Sequence, residues 1–352
     1  MHDSGNIVAE TAARIFADLG DPQTINQAKG AGWKAPLWNA LSEAGLTLAW
    51  VPEQHGGAGG TLADGFEVLG VAGRYAASVP LAETMLAGWM LARSGLDAPS
   101  GMMTVAPSRP GERITLDSNG TLNGRARNVP FARDAEHIAV AALRGNEPVV
   151  ALVDVDACRI AEGRNLAGDP LDSVIFDGAP AVASTAAALD LETVMLMGAV
   201  VRSVQIAGAL QSILDLSVRY ANERVAFERP IAKFQAVQHN LARLAGEAAA
   251  AMTAATSAAD AIAEASEFDD GIFLEAASAR IRAAEAATEG AAIAHQVLGA
   301  IGFTQEHVLH RFTLRMLSWR DDFGNESQWA VELGNRIAAR GADAFWPLIA
   351  SR

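Results

Sequence analysis

The chain has 352 residues, half of them apolar and only 6% aromatic, with a formal charge of −14 at neutral pH. That length allows two to three domains with sizeable cores. The acidic balance repels phosphate backbones and argues against nucleic acid as a partner, although local arginines can still gather a small anion.

The first residues, Met1 to Glu10, carry neither the basic nor the apolar region of a secretion signal, so a cytoplasmic protein is expected. No apolar run reaches the roughly 18 residues of a membrane span, and no membrane partner is expected. Residues 1–100 read as a helical domain. One amphipathic segment closes at Ser42-Glu43-Ala44-Gly45-Leu46. The run from Trp50 to Gly60 then breaks all regularity, because its four glycines and Pro52 do not fit a helix interior. Gly56 to Gly60 follows no strand and lacks the lysine of a P-loop, so it reads as a turn and not a phosphate cradle. Helical spacing resumes near Leu62, pauses at Pro80 and ends before Gly101.

Residues 101–185 change character and read as a small antiparallel β domain. Asp117-Ser118-Asn119-Gly120 lies between Ile114-Thr115-Leu116 and Thr121-Leu122, a hairpin signature. A second hairpin is expected where Ile138 to Leu143 and Val149 to Val153 flank Arg144-Gly145-Asn146-Glu147. The single cysteine, Cys158, has no cysteine to pair with inside the chain and fits a reducing compartment. With no basic cluster around it, it reads as a small apolar filler.

Residues 186–352 are helical again. Val194, Met197, Val201, Val204, Ala207, Leu210, Leu214 and Val218 recur every three or four residues and lay one apolar stripe along a long helix. A second helix is expected from about Gln235 to Ala265 and a third from about Ile272 to Leu298, separated by Phe268-Asp269-Asp270-Gly271. The alanine-rich stretch up to Ala265 reads as close helix packing. Glu306, His307 and His310 are placed on one helical face, leading to Arg311 and Arg315, with His295 nearby. Their spacing matches no strong metal-ligand pattern, and no metal is expected. Asn325 reads as a helix start, with Trp329, Leu333 and Ile337 on one face. The fold class is therefore α+β, mainly α: N-terminal helices, a small β domain and a C-terminal helical bundle.

Between the first two bundle helices stands an arginine-rich, aromatic cluster, Arg219 to His239. Within it, Tyr220-Ala221-Asn222-Glu223-Arg224-Val225-Ala226-Phe227-Glu228-Arg229-Pro230-Ile231-Ala232-Lys233-Phe234-Gln235 resembles the signature of acyl-CoA dehydrogenases. Gln296-Val297-Leu298-Gly299-Ala300-Ile301-Gly302-Phe303-Thr304 is similar to that family's later Gln-x-x-Gly-x-x-Gly-aromatic-Thr motif. Val51-Pro52-Glu53-Gln54-His55-Gly56-Gly57 resembles its N-terminal motif. The three occur in family order across nearly the whole chain. The resemblance implies a four-helix C-terminal bundle, FAD as cofactor, an acyl-CoA substrate and an electron-transfer flavoprotein as electron acceptor. It also implies that these bundle residues serve the FAD of a neighbouring subunit. Arg224 would pair with the diphosphate and Phe227 would pack near the adenine end. Gln235 would contact the flavin side, Gln296 the ADP portion, and Gly299 would allow close backbone approach to phosphate.

The family's catalytic base is usually a glutamate followed by Gly-Thr. In Arg320-Asp321-Asp322-Phe323-Gly324-Asn325 the matching position holds Phe323. The alternative base position, on the first bundle helix, falls at Gly198, with Glu192 more than a helical turn away. Asp321 and Asp322 are the remaining candidates; the plainer expectation is that they cap the next helix or stand in solvent. The family's flavin-binding segment of the β domain corresponds only loosely to Thr104 through Glu112, by Thr104, Pro107 and Gly111, and to Asn128-Val129-Pro130-Phe131. The half-site lent to a neighbour is thus intact and the chain's own half is eroded. This implies a hetero-oligomer with a homologous subunit, similar to the family's steroid side-chain degrading enzymes. The alternatives are a homo-oligomeric dehydrogenase using Asp321 or Asp322, a flavin-dependent oxygenase of the same fold, or a structural helical subunit.

Overall fold

The computed structural model describes residues 3–28, 30–109 and 111–350. The chain begins with α1 (Asp3–Leu19), α2 (Pro22–Gln27), α3 (Lys34–Glu43), α4 (Leu62–Arg74) and α5 (Leu81–Arg93). Their starts follow local chemistry. The Asp21 carboxylate accepts from the Thr24 amide ahead of Pro22, and Thr61 and Asp64 close a reciprocal capping box on α4. The stretch from Trp50 to Gly60 is a turn, as expected. Gly57 is required there, because a Cβ would run into the Val51 carbonyl. α5 is buried all round from Leu81 to Leu91, Glu83 and Thr84 included, since it lies between the other helices and the sheet.

Eight strands follow: β1 (Met103–Ala106), β2 (Ile114–Leu116), β3 (Thr121–Pro130), β4 (His137–Arg144), β5 (Glu147–Asp154), β6 (Arg159–Ala161), β7 (Leu171–Pro180) and β8 (Ala183–Ala186). They form one sheet in the order β6-β7-β3-β2-β4-β5-β8, with β1 also beside β4. Both expected hairpins are present, β2–β3 and β4–β5. Asp117 fixes the first by accepting from the Asn119 and Thr121 amides, each at 2.9 Å. The sheet is not wholly antiparallel, however: β1 and β2 both pair parallel with β4. Side-chain alternation splits the sheet's burial. Ile138, Val140, Val149, Ala151 and Val153 fill a core internal to the sheet, while Ala139, Val150 and Leu152 join the helical core around α5. Cys158 packs against the sheet's own core, and burial pushes its thiol up to about 11, consistent with a filler.

The C-terminal region comprises α6 (Leu191–Glu223), a two-residue-strand hairpin β9 (Val225–Ala226) and β10 (Arg229–Pro230), α7 (Gln235–Glu264), α8 (Asp270–Leu298), α9 (Leu309–Trp319), α10 (Glu326–Arg340) and α11 (Ala342–Ala350). α6, α7 and α8 pack on one another, with α9 against α6 and α8 and α10 against α8. Buried alanines of α7 (Ala248, Ala251, Ala255, Ala258) face those of α8 (Ala276, Ala283, Ala287) and let the two backbones approach closely. By length and apolarity α6 is a candidate membrane span, contrary to the sequence reading. Instead it is the bundle's core helix, with 89% of its most apolar window buried.

Candidate functional site

Arg224, Phe227 and Gln235 occupy the connection from α6 to α7, and Gln296 and Gly299 the end of α8. The packing of Gly290 against Leu210 and Leu244 sets a common level on the three helices. At 1.5 Å per residue, Arg224, Gln235 and Gln296 lie about 21, 14 and 9 Å beyond that level, all toward the same end of the bundle. The sequence-predicted residues therefore share one surface. All five are exposed. Among the described residues, the side chains of Arg224, Gln235 and Gln296 have no hydrogen-bond or ion-pair partner. Phe227 is 90% exposed, held out at a two-residue turn where both it and Glu228 adopt positive φ (52° and 66°). Such a turn favours Asn-Gly, so a phenylalanine and a glutamate here carry backbone strain. Gly299 also has positive φ, 64°, and a Cβ there would meet open space. Phe303, 73% exposed, stacks on His295 at 4.3 Å.

The region of the expected base looks different. Phe323 is buried, and its ring fills the space a Cβ on Gly198 would need. The two positions where the sequence reading expected a base are thus in contact with each other, and neither is a carboxylate. The Phe323 carbonyl accepts from Trp329 Nε1 at 3.0 Å, and its amide donates to the Ser108 carbonyl at 3.2 Å. Beside it, Arg202 is enclosed and donates from Nη2 to Glu83 Oε1 (2.5 Å), from Nε to Asp322 Oδ2 (2.9 Å) and from Nη1 to Gln205 Oε1 (2.6 Å). Asp322 therefore neither caps the next helix nor stands in solvent, as the sequence suggested; Asn325 is the cap. Burial raises the Asp322 carboxyl to about 6, against the pull of Arg202. Asp321 is exposed beside Arg320. A second enclosed guanidinium, Arg280, donates to the carbonyls of Trp319, Arg320, Asp322 and Gly324 and fixes the turn that carries Phe323. Sequence reading passed over Arg202 and Arg280, although an arginine inside an otherwise apolar helical stripe marks a buried charge that needs partners.

The sheet side offers little to a ligand. Thr104 donates its hydroxyl to the Pro130 carbonyl at 2.7 Å and Ser108 to the Asn128 carbonyl at 2.9 Å, so both are satisfied within the chain. A cavity of about 710 Å³ opens beside Gly324 and Asn325, walled by Gly111, Met195, Phe273 and Trp329. Its one guanidinium, Arg336, is taken up by Glu192, Glu332 and Asp270. Asn325 and Gln328 cap each other's backbones at the start of α10. A larger cavity of about 840 Å³ lies between α4 and the last turns of α6, lined by both tyrosines, Tyr75 and Tyr220, with Arg219 and His307.

The histidines serve local structure. His307 precedes α9 and accepts from the Leu309 amide at 3.1 Å; only His310 lies in that helix, so the expected shared face is absent. Arg315, further along α9, forms a buried pair with Asp169. No cluster of three His, Cys, Asp or Glu is placed to hold a metal among the described residues.

Comparison with known proteins identifies the family of this fold. Residues 6–99 match the acyl-CoA dehydrogenase N-terminal domain and residues 190–325 its C-terminal domain. Acyl-CoA dehydrogenase IpdE2 of Mycobacterium tuberculosis is 30% identical over 312 residues, covering 88% of this chain and 89% of that protein. Among solved structures, a chain of the ChsE4-ChsE5 complex from Mycobacterium tuberculosis has a TM-score of 0.86 at 22% identity, covering 96% of this chain and 98% of that one. A chain of a variant Tcur3481-Tcur3483 steroid ACAD has a TM-score of 0.83 at 25% identity, with the same coverage. Matched at both ends and aligned with a relative along nearly nine-tenths of its length, the chain belongs to the acyl-CoA dehydrogenase family, whose cofactor is FAD.

Proposed function

We propose that this chain completes the FAD site of an unlike, related subunit in an α,β-dehydrogenase of acyl-CoA thioesters, and carries no base of its own. The observation behind this reading is the contrast between its two ends. One end presents an unpartnered guanidinium, an exposed ring and two free amides. At the other, both base positions are filled by Phe323 packed on Gly198.

The donor set at the first end suits a dinucleotide. Arg224 gives a permanently charged fork for diphosphate oxygens. Phe227 offers a flat face beside the adenine. Gln235 and Gln296 supply amide hydrogen bonds, and the open space over Gly299 admits phosphate to its backbone. The chemistry FAD supplies in this family is acceptance of the β-hydride of the thioester. Removal of the α-proton then falls to a carboxylate of the partner. The ChsE4-ChsE5 complex and the Tcur3481-Tcur3483 steroid ACAD are each named for two unlike proteins. They favour an unlike partner and a steroid or other lipid thioester as substrate; electron delivery to an electron-transfer flavoprotein in the cytoplasm is carried over from the family resemblance.

The reading with Asp321 or Asp322 as base is disfavoured, because Asp322 is engaged by Arg202 and Asp321 stands exposed beside Arg320. The test is Arg224→Ala in the complex purified from its native host through a tag on this chain. Loss of a charge-assisted phosphate contact weakens FAD binding about 10- to 100-fold, with helical content unchanged by circular dichroism. Flavin retained at the parent level would overturn the proposal.

A further inference from the structure

We infer that Arg229 is a second guanidinium for the FAD diphosphate, held flat for that purpose by Phe234; the inference rests on the half-site reading above. The β9–β10 register pairs Arg229 with Ala226 and Pro230 with Val225, and the Ile231 amide donates to the Arg224 carbonyl at 2.8 Å. Arg224 and Ala226, two apart, point to one face of the hairpin, and Arg229, opposite Ala226, points to the same face. Arg224 and Arg229 are then diagonal neighbours, with backbones roughly 7–8 Å apart, within reach of one ligand for side chains this long. A diphosphate is such a ligand, with charge on both phosphates.

Arg229 is also pre-ordered. Its guanidinium lies 4.3 Å from the centre of the Phe234 ring, and Phe227 meets the same ring edge-on at 6.1 Å. Phe234 thereby sets both the cation and the exposed aromatic, at the residue preceding Gln235. Among the described residues Arg229 has no carboxylate partner, although the chain as a whole is strongly acidic. From Arg224 to Lys233 there are three cations and one carboxylate, Glu228. Two unpaired guanidiniums on one face repel each other until an anion lies between them. Stacking on Phe234 fixes the plane of one of them, which lowers the ordering cost of a forked contact. Phe234 is accordingly a positioning residue and Arg229 a binding residue.

The test measures FAD dissociation from the native-host complex for the parent, Arg224→Ala, Arg229→Ala and Arg229→Lys, each at several salt concentrations. Arg229→Ala is expected to weaken FAD about 5- to 20-fold and to flatten the salt dependence, because one phosphate contact is gone. Arg229→Lys keeps the charge but not the flat stack, so its salt dependence stays near that of the parent while affinity falls only part of the way. If Arg224→Ala weakens FAD and Arg229→Ala does not, this inference fails and the half-site reading stands. If Arg229→Ala weakens FAD with an unchanged salt dependence, its role is structural and the inference fails. If neither variant changes FAD binding, the half-site reading itself fails.

Discussion

Gly198 carries the packing on which the proposed absence of a base rests. Its missing Cβ is the space occupied by the Phe323 ring. Gly198→Ala should therefore force a shift in a filled core and cost about 1–3 kcal/mol in urea unfolding; a neutral result would mean that the ring is loosely held. Asp322 gives a pH-dependent check on the neighbouring charge cluster. The folded protein holds the Asp322 proton up to about pH 6, above an ordinary carboxyl. Its stabilising contribution is thus complete at low pH and declines as pH rises through that range. Asp322→Asn removes this titration. The parent should lose stability relative to the variant as pH rises from about 4 to 6, and a parent that gained stability relative to the variant over that range would contradict the assignment. At the hairpin tip, Glu228→Gly relieves a positive φ and removes the carboxylate beside Arg229. It should gain about 1 kcal/mol locally and tighten FAD, read by hydrogen exchange of the hairpin and by flavin dissociation.

Among the elements, the turn between α9 and α10 depends on α8. Arg280 reaches across to four carbonyls of residues 319–324, so Arg280→Met strands them in the interior. The expected loss is roughly 3 kcal/mol or more, measured by thermal or denaturant unfolding. Which elements were legible in the sequence follows from how local their causes are. Asp269 marked the α7–α8 break because it caps α8 itself, accepting from the Gly271 and Ile272 amides. Asn325 marked α10 for the same reason. The parallel pairing of β1 with β4 was not legible, because Met103 meets His137 across an intervening hairpin arm that gives no local signal. Nor was the role of Asp322: its partner, Arg202, comes from α6, and Glu83, which shares that guanidinium, comes from α5. A spacing of three residues between His307 and His310 fits a helical face, but the chain is still a turn at His307 and only His310 lies in α9.

At the scale of the whole molecule, three motifs far apart in sequence gave the family, and the bundle's antiparallel course gathers two of them at one end. That Arg224, Gln235 and Gln296 lack internal partners among the described residues was not legible, since that depends on what the rest of the fold leaves unpaired. This strongly acidic chain keeps Arg224, Arg229 and Lys233 together on one exposed connection, which is the basis for proposing an anion there. The most direct measurement of the central claim is the FAD and subunit stoichiometry of the complex purified through this chain, set beside the chain expressed alone. The account predicts one FAD for each pair of unlike chains, and neither bound FAD nor acyl-CoA-dependent dye reduction by this chain in isolation. One FAD per copy of this chain alone, with dye reduction, would contradict it.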